Sequence, residues 1–397
     1  MPGSDPAANA ADTPHHKLAG LDHLRAFAIT YVFIFHYRYF GHPDWEPALG
    51  KFGWTGVDLF FVLSGFLIAG QLFATVAKGR SIPLREFFAK RFFRIIPPFL
   101  VVLFIYFAFP YAREWGQPSP LWRYLTFTLN FNLDLKKYST FSHAWSLCVE
   151  EQFYLILPLC FWLFTYFKAC TKAVYLIALL FIGGFLLRIW CWDNQVAPLI
   201  SSGNMRALWN QYVYYPTYNR LDGLLTGVSI AGLFTFYPRI KNWANRYNVL
   251  LMLTGLLALV AAYFVCADRE SFNTGTYGFL VVSLAYGLIL AAFVSPANIL
   301  YRVKSKVTSL IATLSYSLYL VHKIVIHLTQ TLLAKAGMDM NSTLMMFICI
   351  TTSIAIALLM RHAVEKPALK LRDKVLLNWK QKKLVKGVEV AAEVSTL

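Results

Sequence analysis

Residues 144–159 read AWSLCVEEQFYLILPL and place two adjacent carboxylates at the start of a long apolar run. Nine of the twelve residues from Phe153 to Phe164 are Ile, Leu, Phe or Trp. A helix that is apolar on every side crosses a membrane or lies in the core of a large protein. An ionised carboxylate in hydrocarbon is costly unless another group pairs with it. Glu150 and Glu151 therefore indicate a paired or functional site within a membrane helix.

The composition of the whole chain agrees with a membrane protein. The 397 residues are 57% hydrophobic and 14% charged, whereas soluble domains carry about 25% charged residues. Apolar runs of about 18 to 25 residues are long enough to cross the hydrocarbon layer. We therefore predict an all-α fold, a polytopic transmembrane helix bundle without an internal repeat or a separate soluble domain. We predict about ten spans, at residues 21–40, 54–77, 95–112, 145–167, 173–192, 215–236, 248–266, 276–295, 308–333 and 343–361.

Lysine and arginine residues predict the orientation of the bundle. If the N-terminus is cytoplasmic, 24 of them lie in cytoplasmic segments, eight in outer segments and five in the spans. Cytoplasmic loops carry the excess of basic residues, so we predict that both termini are cytoplasmic. The chain then divides into a disordered cytoplasmic leader (1–19), a transmembrane domain (20–370) and a basic cytoplasmic tail (371–397).

Charge and cysteine content argue against two other classes of partner. The net charge of +17 follows the predicted topology, so we expect contact with membrane lipids and no nucleic-acid partner. The six cysteines form no CxxC pair, and such pairs are typical of zinc and redox sites. We therefore expect neither a metal site nor a disulfide framework.

The first predicted span carries two ionisable residues on one face. Arg25 and His36 are eleven residues apart, which is about 20° from whole turns and about 16 Å along a helix. Taken singly, an arginine at a helix end can simply reach the lipid headgroups, and a lone histidine can simply satisfy a core hydrogen bond. Their shared face favours a line of polar groups through the membrane.

The two glutamates of the fourth span are predicted to lie near its outer end, at the depth of His36. Adjacent helical residues point about 100° apart, so Glu150 and Glu151 cannot both face one partner. Glu150, or Asp58 of the second span, could orient the His36 imidazole as a general base. The alternative for at least one of the pair is structural, since negative charge is favourable at a helix start.

Other intramembrane polar residues predict contacts between helices. Arg220 and Asp222 of the sixth span favour an internal Arg–Asp pairing that holds the bundle together. Ser315, Tyr319 and His322 share one face of the ninth span, where they could line a substrate cavity or join helices. The second span carries four glycines that permit close helix approach: Gly53, Gly56, Gly65 and Gly70.

A basic segment precedes the third span. Arg91 and Arg94 are i, i+3 neighbours in REFFAKRFFRIIPP, and Lys90 lies beside them. Arginine is well suited to bidentate contact with phosphate, so this segment could bind a phosphate group. A lipid-headgroup anchor would also explain these charges.

Several motifs, in order along the chain, resemble one family. They are LDHLRAFAITYVFIFH, GWTGVDLFFVLSGFLI, RFFRIIPP, HAWSLCVEEQFYLILP, NRLDGLLTG, SYSLYLVH and VEKP. The combination resembles the bacterial membrane-bound acyltransferase family 3, the integral-membrane O-acyltransferases that decorate extracytoplasmic glycans. The resemblance covers roughly residues 18 to 370.

The resemblance implies an enzyme of the bacterial cytoplasmic (inner) membrane. Its donor would be acyl-CoA, commonly acetyl-CoA, reached from the cytoplasm. Its acceptor would be a hydroxyl of a glycan or a lipid-linked sugar, and glycan synthesis or export machinery could be a partner. The resemblance also implies functional roles for Arg25, His36, Arg91 and Arg94. Many members carry a hydrolase-like domain after the last span; because this chain ends in a basic tail, we expect it to deliver the acyl group itself.

These residues combine into one predicted mechanism. The CoA phosphates bind Arg91 and Arg94, with Arg25 as a further contact, and His36 acts as general base or as acyl carrier. Glu150 or Asp58 orients the imidazole. The substrate path is predicted to be lined by Trp145, Ser146, Glu151, Tyr154, Ser315, Tyr319 and His322.

Two other function classes fit an apolar bundle with buried charges. A transporter or lipid flippase also needs polar groups along its interior, although it predicts repeats or broken helices. A structural subunit of an envelope glycan assembly complex would use the same charges to join helices. The latter predicts that His36→Ala leaves function intact.

Overall fold

The computed structural model describes residues 19–167 and 172–395, with side chains except at Ser202, Lys380 and residues 383–395. The predicted leader lies outside these residues except for Ala19. The described chain contains no strand, and its one isolated bridge joins Pro118 and Thr140. The predicted all-α fold is confirmed for this part of the chain.

Sixteen α-helices make up the described chain, joined by short 3₁₀ and π segments. Each of the ten predicted spans overlaps one of the longer helices, although several bounds differ, as for 95–112 and 215–236. The helices are α1 (Ala19–Tyr37), α2 (Glu46–Gly50), α3 (Gly56–Ala77), α4 (Leu84–Ala108), α5 (Leu121–Leu125), α6 (Trp145–Tyr166), α7 (Ala173–Cys191), α8 (Met205–Trp209), α9 (Asp222–Phe236), α10 (Pro238–Arg246), α11 (Asn248–Val265), α12 (Phe279–Phe293), α13 (Ile299–Arg302), α14 (Lys306–Lys335), α15 (Thr343–Met360) and α16 (Lys366–Ser395).

Helix length and composition support several membrane crossings. Eight of the described helices are long and apolar enough to span a bilayer. The helix α9 is apolar but has 15 residues, which is short for a span. The helix α1 is not among the eight, and it carries Asp22, Arg25 and His36. The multi-span architecture is therefore supported, while the number ten and the orientation stay predictions.

Glycines set the distance between α3 and its neighbours. A Cβ atom added at Gly56 would lie 2.7 Å from the carbonyl oxygen of Ala28 in α1. In α9, a Cβ added at Gly223 would lie 3.0 Å from the carbonyl oxygen of Asp58, and Gly227 is packed still more tightly against α3. Small residues thus let the backbones of three helices touch, as is common in membrane bundles.

The predicted close approach is right at three of the four glycines in the second span. Gly53 and Gly56 pack against α1, and Gly65 packs against Leu224 of α9. A Cβ atom added at Gly70 would have no neighbour within 4 Å. The prediction was wrong there because Gly70 faces away from the neighbouring helices, although Phe73, further along α3, still packs against Gly232 and Phe236 of α9.

Two buried ion pairs fix the position of α9. Arg188 of α7 donates to both carboxylate oxygens of Asp222, at 2.6 and 3.2 Å. Arg220, just before α9, donates to Asp58 Oδ1 at 2.8 Å, and both side chains are buried. Arg–Asp pairing does join parts of the bundle. Arg220 and Asp222 do not pair with each other, however: Arg220 pairs with Asp58 of α3, and Asp222 pairs with Arg188 of α7. The prediction that Asp58 could orient His36 is corrected, since its carboxylate is paired with Arg220.

The connection between α4 and α6 folds back over one end of the bundle. Tyr124 donates to the carbonyl oxygen of Thr140 at 3.1 Å, and the Phe141 N–H donates to Glu114 at 3.2 Å. Phe141 adopts a positive φ of 54°, which is uncommon for a residue other than glycine. This turn leads directly into His143 at the start of α6.

Candidate active site

One cavity between α1, α3, α4, α6 and α14 collects most of the basic residues that the sequence pointed to. It is lined by Arg25, Arg91, Arg94, Glu150 and Glu151, among others. We call it the arginine cavity. The structure therefore brings the predicted phosphate-binding residues together with both glutamates of the opening motif.

Two arginines of this cavity have guanidinium N–H donors that no carboxylate in the described chain occupies. The Arg91 guanidinium lies 5.0 Å from the centre of the Tyr154 ring. Among the described side chains, neither Arg91 nor Arg94 has a carboxylate within 4 Å, whereas Arg25 has Asp22 at 3.9 Å. Lys90 instead pairs with Glu86 at 3.7 Å on the exposed side of the helix. A guanidinium without a carboxylate partner is suited to bind an anion.

Glu150 belongs to the arginine cavity, which corrects two predictions about it. Its carboxylate accepts a hydrogen bond from Ser64 at 2.9 Å and from Tyr154, one turn further along α6, at 3.2 Å. From the sequence, Glu150 is predicted to lie at the depth of His36 and to orient the His36 ring. The direction of α6 instead carries Glu150 away from His36, because His36 lies beside the first residues of α6.

A second cavity lies at the other end of α1. Its lining includes His36, His143, Tyr319, Lys323 and Arg269; we call it the histidine cavity. Seven aromatic side chains form much of its wall: Phe35, Tyr39, Trp54, Trp115, Trp145, Tyr214 and Tyr215.

The hydrogen bonds made by His322 determine which ring nitrogen of His36 carries the hydrogen. The Nδ1 atom of His322 lies 3.0 Å from the carbonyl oxygen of Leu318 and 2.8 Å from that of Tyr319. Carbonyl oxygens only accept, so Nδ1 carries the hydrogen, and Nε2 of a neutral His322 is an acceptor. His36 Nδ1, 3.0 Å from that Nε2, must then be the donor. The Nε2 atom of His36 is left with a free lone pair.

His322, and not a carboxylate, is thus the group that orients His36. The prediction placed His322 on the substrate path, but its side chain is fully buried beside the ring of Phe33, with ring centres 6.1 Å apart. A neutral histidine in this place fixes the tautomer of His36 through one hydrogen bond.

His143 is a third histidine in this region, and the sequence analysis did not assign it a role. Its ring centre lies 5.9 Å from that of His36 and 5.0 Å from that of His322. The side chain is 2% exposed, and neither ring nitrogen makes a hydrogen bond of good geometry among the described residues, although the Leu320 backbone lies near the ring. A buried polar group without a partner is rare and needs an explanation.

The two cavities adjoin at Tyr319 and Val57, which line both of them. The Tyr319 hydroxyl donates to the carbonyl oxygen of His143 at 2.6 Å and accepts from Ser146, also at 2.6 Å. Trp145 lines the histidine cavity only, and Ser146 lines the arginine cavity. A molecule that extended from one cavity to the other would pass this hydroxyl.

Most of the residues predicted for the substrate path line one of the two cavities. Glu151, Tyr154 and Ser315 line the arginine cavity with Tyr319. Lys323 and Arg269 were missed, although a lysine inside the ninth span was itself a signal by the rule that intramembrane charges mark function. Within the described residues, no three His, Cys, Asp or Glu side chains are arranged to hold a metal ion.

Comparison with protein families gives a match over most of the chain. A family model described as an acyltransferase domain, of the acyltransferase 3 type, matches residues 18–362. No solved structure matches the chain.

Several curated proteins are similar to this chain at modest identity. An O-acetyltransferase OatA of Staphylococcus aureus (strain NCTC 8325 / PS 47) is 28% identical over 77% of this chain and 50% of its own length. A peptidoglycan O-acetyltransferase OatA of Listeria monocytogenes is 27% identical over 95% of this chain and 61% of its own length. A putative O-acetyltransferase of S. aureus (strain COL) is 26% identical over 96% of this chain and 62% of its own length. The chain thus spans about half to three fifths of the length of these relatives.

Proposed function

The chain belongs to the acyltransferase 3 family, and from this premise we propose that it moves an acyl group from acyl-CoA to a hydroxyl of a cell-envelope glycan or its lipid-linked precursor. The acyl group is acetyl, by analogy with the O-acetyltransferase relatives. The proposal places the enzyme in the bacterial cytoplasmic membrane, with the donor entering from the cytoplasm.

One observation carries the proposal: two cavities of different chemistry adjoin at Tyr319. One holds three arginines, which suit a phosphate-rich donor. The other holds a histidine with a free nitrogen, surrounded by aromatic rings. A reaction between a CoA thioester and a sugar hydroxyl needs both kinds of site and a passage between them.

On the donor side, the CoA phosphates bind Arg91 and Arg94. Both guanidinium groups lack a carboxylate partner among the described residues, so they can contact phosphate without first breaking an ion pair. Arg25 adds a third positive charge from α1. The pantetheine arm then extends past Tyr319 and brings the thioester towards His36.

On the acceptor side, His36 acts as the general base. Its Nε2 atom takes the proton of the sugar hydroxyl while the hydroxyl oxygen attacks the thioester carbonyl carbon. The carbon–sulfur bond then breaks, and the CoA thiolate leaves and takes up a proton. The same nitrogen could instead form an acyl-histidine intermediate, in a two-step transfer. In both routes His322 keeps the reactive nitrogen unprotonated.

The proposal is tested with membranes that contain wild-type or His36→Ala protein in matched amounts, supplied with radiolabelled acetyl-CoA. Label is measured as base-labile ester on envelope glycan. We expect transfer with the wild type and a loss of about 10²- to 10⁴-fold with His36→Ala. His362→Ala is the matched control, since this histidine is exposed and lines neither cavity.

The outcomes separate the function classes. Equal transfer by wild type and His36→Ala would make His36 structural. No transfer by the wild type would contradict the acetyl-CoA donor or the glycan acceptor, and would favour a transport or scaffold role.

A further inference from the structure

Lys323 is a buried cation that the mechanism above leaves without a task. It follows His322 directly in α14, and its side chain is 3% exposed. Its Nζ atom lies 3.0 Å from Glu114 Oε1 and 4.8 Å from the centre of the Trp115 ring. A lysine this deeply buried is uncommon unless it is paired, so Glu114 explains why the charge is tolerated.

The ion pair uses only part of the hydrogen-bonding capacity of Lys323. An ammonium group has three N–H donors. Glu114 is the one carboxylate within 4 Å of Nζ in the described part of the chain, and no other acceptor is within hydrogen-bonding distance there. Because Lys323 also lines the histidine cavity, at least one donor is available to a molecule bound in that cavity.

His143 supplies a second unused donor in the same cavity. A neutral imidazole carries one N–H, and among the described residues neither ring nitrogen of His143 makes a hydrogen bond of good geometry, the nearby Leu320 backbone included. The carbonyl oxygen of His143 is fixed by Tyr319, so the ring is held between α6 and α14. Two donors without acceptors, beside the proposed base, indicate a place for a ligand atom that accepts hydrogen bonds.

We propose that Lys323 and His143 bind the carbonyl oxygen of the acyl group and stabilise the negative charge that forms on it when the acceptor hydroxyl attacks. This inference rests on the proposed function. It assigns two further catalytic residues and one positioning residue, Glu114, which holds the ammonium group through the 3.0 Å contact.

The electron movements match this assignment. As the hydroxyl oxygen bonds to the carbonyl carbon, the π electron pair moves onto the carbonyl oxygen, and His36 takes the hydroxyl proton. The Lys323 and His143 N–H groups then donate to an oxyanion and not to a neutral carbonyl, and hydrogen bonds to a charged acceptor are stronger. When the carbon–sulfur bond breaks, the pair returns to the carbonyl and CoA leaves.

Glu114 has the complementary task of keeping this cation in place. Its Oε1 atom accepts from the Phe141 N–H and forms the 3.0 Å ion pair with Lys323 Nζ. The residue therefore ties the connection before α6, which carries His143, to α14, which carries Lys323. Both proposed donors depend on one carboxylate for their relative position.

The test measures initial rates of label transfer from acetyl-CoA to membrane glycan as the acetyl-CoA concentration varies. Lys323→Met is expected to lower kcat about 100-fold, the usual effect of losing one oxyanion donor. The KM for acetyl-CoA is expected to change less than about 3-fold, because the lost contact forms in the transition state. Lys323→Arg keeps a cation and is expected to retain activity within about tenfold of the wild type.

A double variant separates catalysis from structure. If Lys323 only neutralises Glu114, then Lys323→Met combined with Glu114→Gln removes the orphan charge and restores activity. If Lys323 binds the oxyanion, the double variant stays as slow as Lys323→Met, while Glu114→Gln alone retains more activity. Elution of the detergent-solubilised protein on size exclusion reports folding in each case.

His143→Ala removes the second proposed donor without breaking an ion pair. It therefore still tests the inference if the Lys323 variants do not fold. It is expected to lower kcat about 10-fold or more with a small change in KM. Wild-type activity together with unchanged kcat in Lys323→Met or in His143→Ala would overturn the inference and leave the proposed function standing. Absence of transfer by the wild type would overturn the proposed function, and this inference with it.

Discussion

The buried, paired charges around α9 differ from the more exposed arginines of the arginine cavity. Around α9, Arg188 and Arg220 each contact a carboxylate at 2.6 and 2.8 Å. In the arginine cavity, Arg91 and Arg94 have no carboxylate within 4 Å in the described chain. A buried charge with a full partner is explained by the fold alone. In the arginine cavity, Arg91 is half-buried and Arg94 is exposed, so their N–H donors are open to an anion. In this protein that anion is proposed to be the phosphate of a donor.

The largest effect is expected where a paired charge loses its partner. Asp58→Asn leaves the Arg220 guanidinium buried without a counter-charge, which costs about 3–5 kcal/mol in comparable pairs. The thermal unfolding midpoint of the solubilised protein should fall sharply. The double variant with Arg220→Met should recover much of the loss, because a neutral pair packs without a charge penalty. An unchanged midpoint for Asp58→Asn would contradict a stabilising role for this ion pair.

A smaller effect is expected at the group that orients His36. His322→Phe keeps an aromatic ring but removes the acceptor for His36 Nδ1, so the wrong nitrogen can carry the proton. We expect kcat to fall about 100-fold, which is within the contribution of a general base. The unfolding midpoint should change little compared with Asp58→Asn. Full activity in His322→Phe would contradict the tautomer assignment.

Close packing of α3 and α9 gives a third prediction. Gly227→Ala places a Cβ atom against the backbone of Val62 and Phe66, and overpacking of this kind costs about 1–3 kcal/mol. Gly70→Ala is the matched control in α3, since its added Cβ would have no neighbour within 4 Å. It should not lower stability, because alanine is the better helix former by up to about 1 kcal/mol. Equal midpoints for the two variants would mean that the helix contact is looser than described.

The smallest effect is expected at the exposed basic residue beside the cavity. Lys90 pairs with Glu86 at 3.7 Å with about half of its side chain exposed, and such pairs contribute about 0–1 kcal/mol. Lys90→Ala should leave both stability and the KM for acetyl-CoA nearly unchanged. A rise in KM as large as that of an Arg91 variant would extend the donor site beyond the cavity.

Sequence reasoning found the helices because apolar run length determines which segments cross a membrane. It also placed Arg25, Arg91 and Arg94 in one donor site, since Arg91 and Arg94 are i, i+3 neighbours and the family resemblance gave all three a role. It paired His36 with Glu150 wrongly, because His36 lies beside the residues that begin α6, while Glu150 lies further along that helix in the arginine cavity. It passed over His143 and Lys323, since each partner in their contacts comes from a different helix or loop.

The most direct test of the account is the binding of acetyl-CoA to the purified protein. Calorimetry would compare the wild type with the Arg91→Ala, Arg94→Ala double variant, using Lys90→Ala as the matched control. We expect binding by the wild type that weakens at high salt. The double variant should bind at least about tenfold more weakly, since each charge-assisted hydrogen bond contributes about 1.5–3 kcal/mol. Equal affinity in the wild type and the double variant would contradict the account, because the unpaired arginines would then have no role in holding the donor.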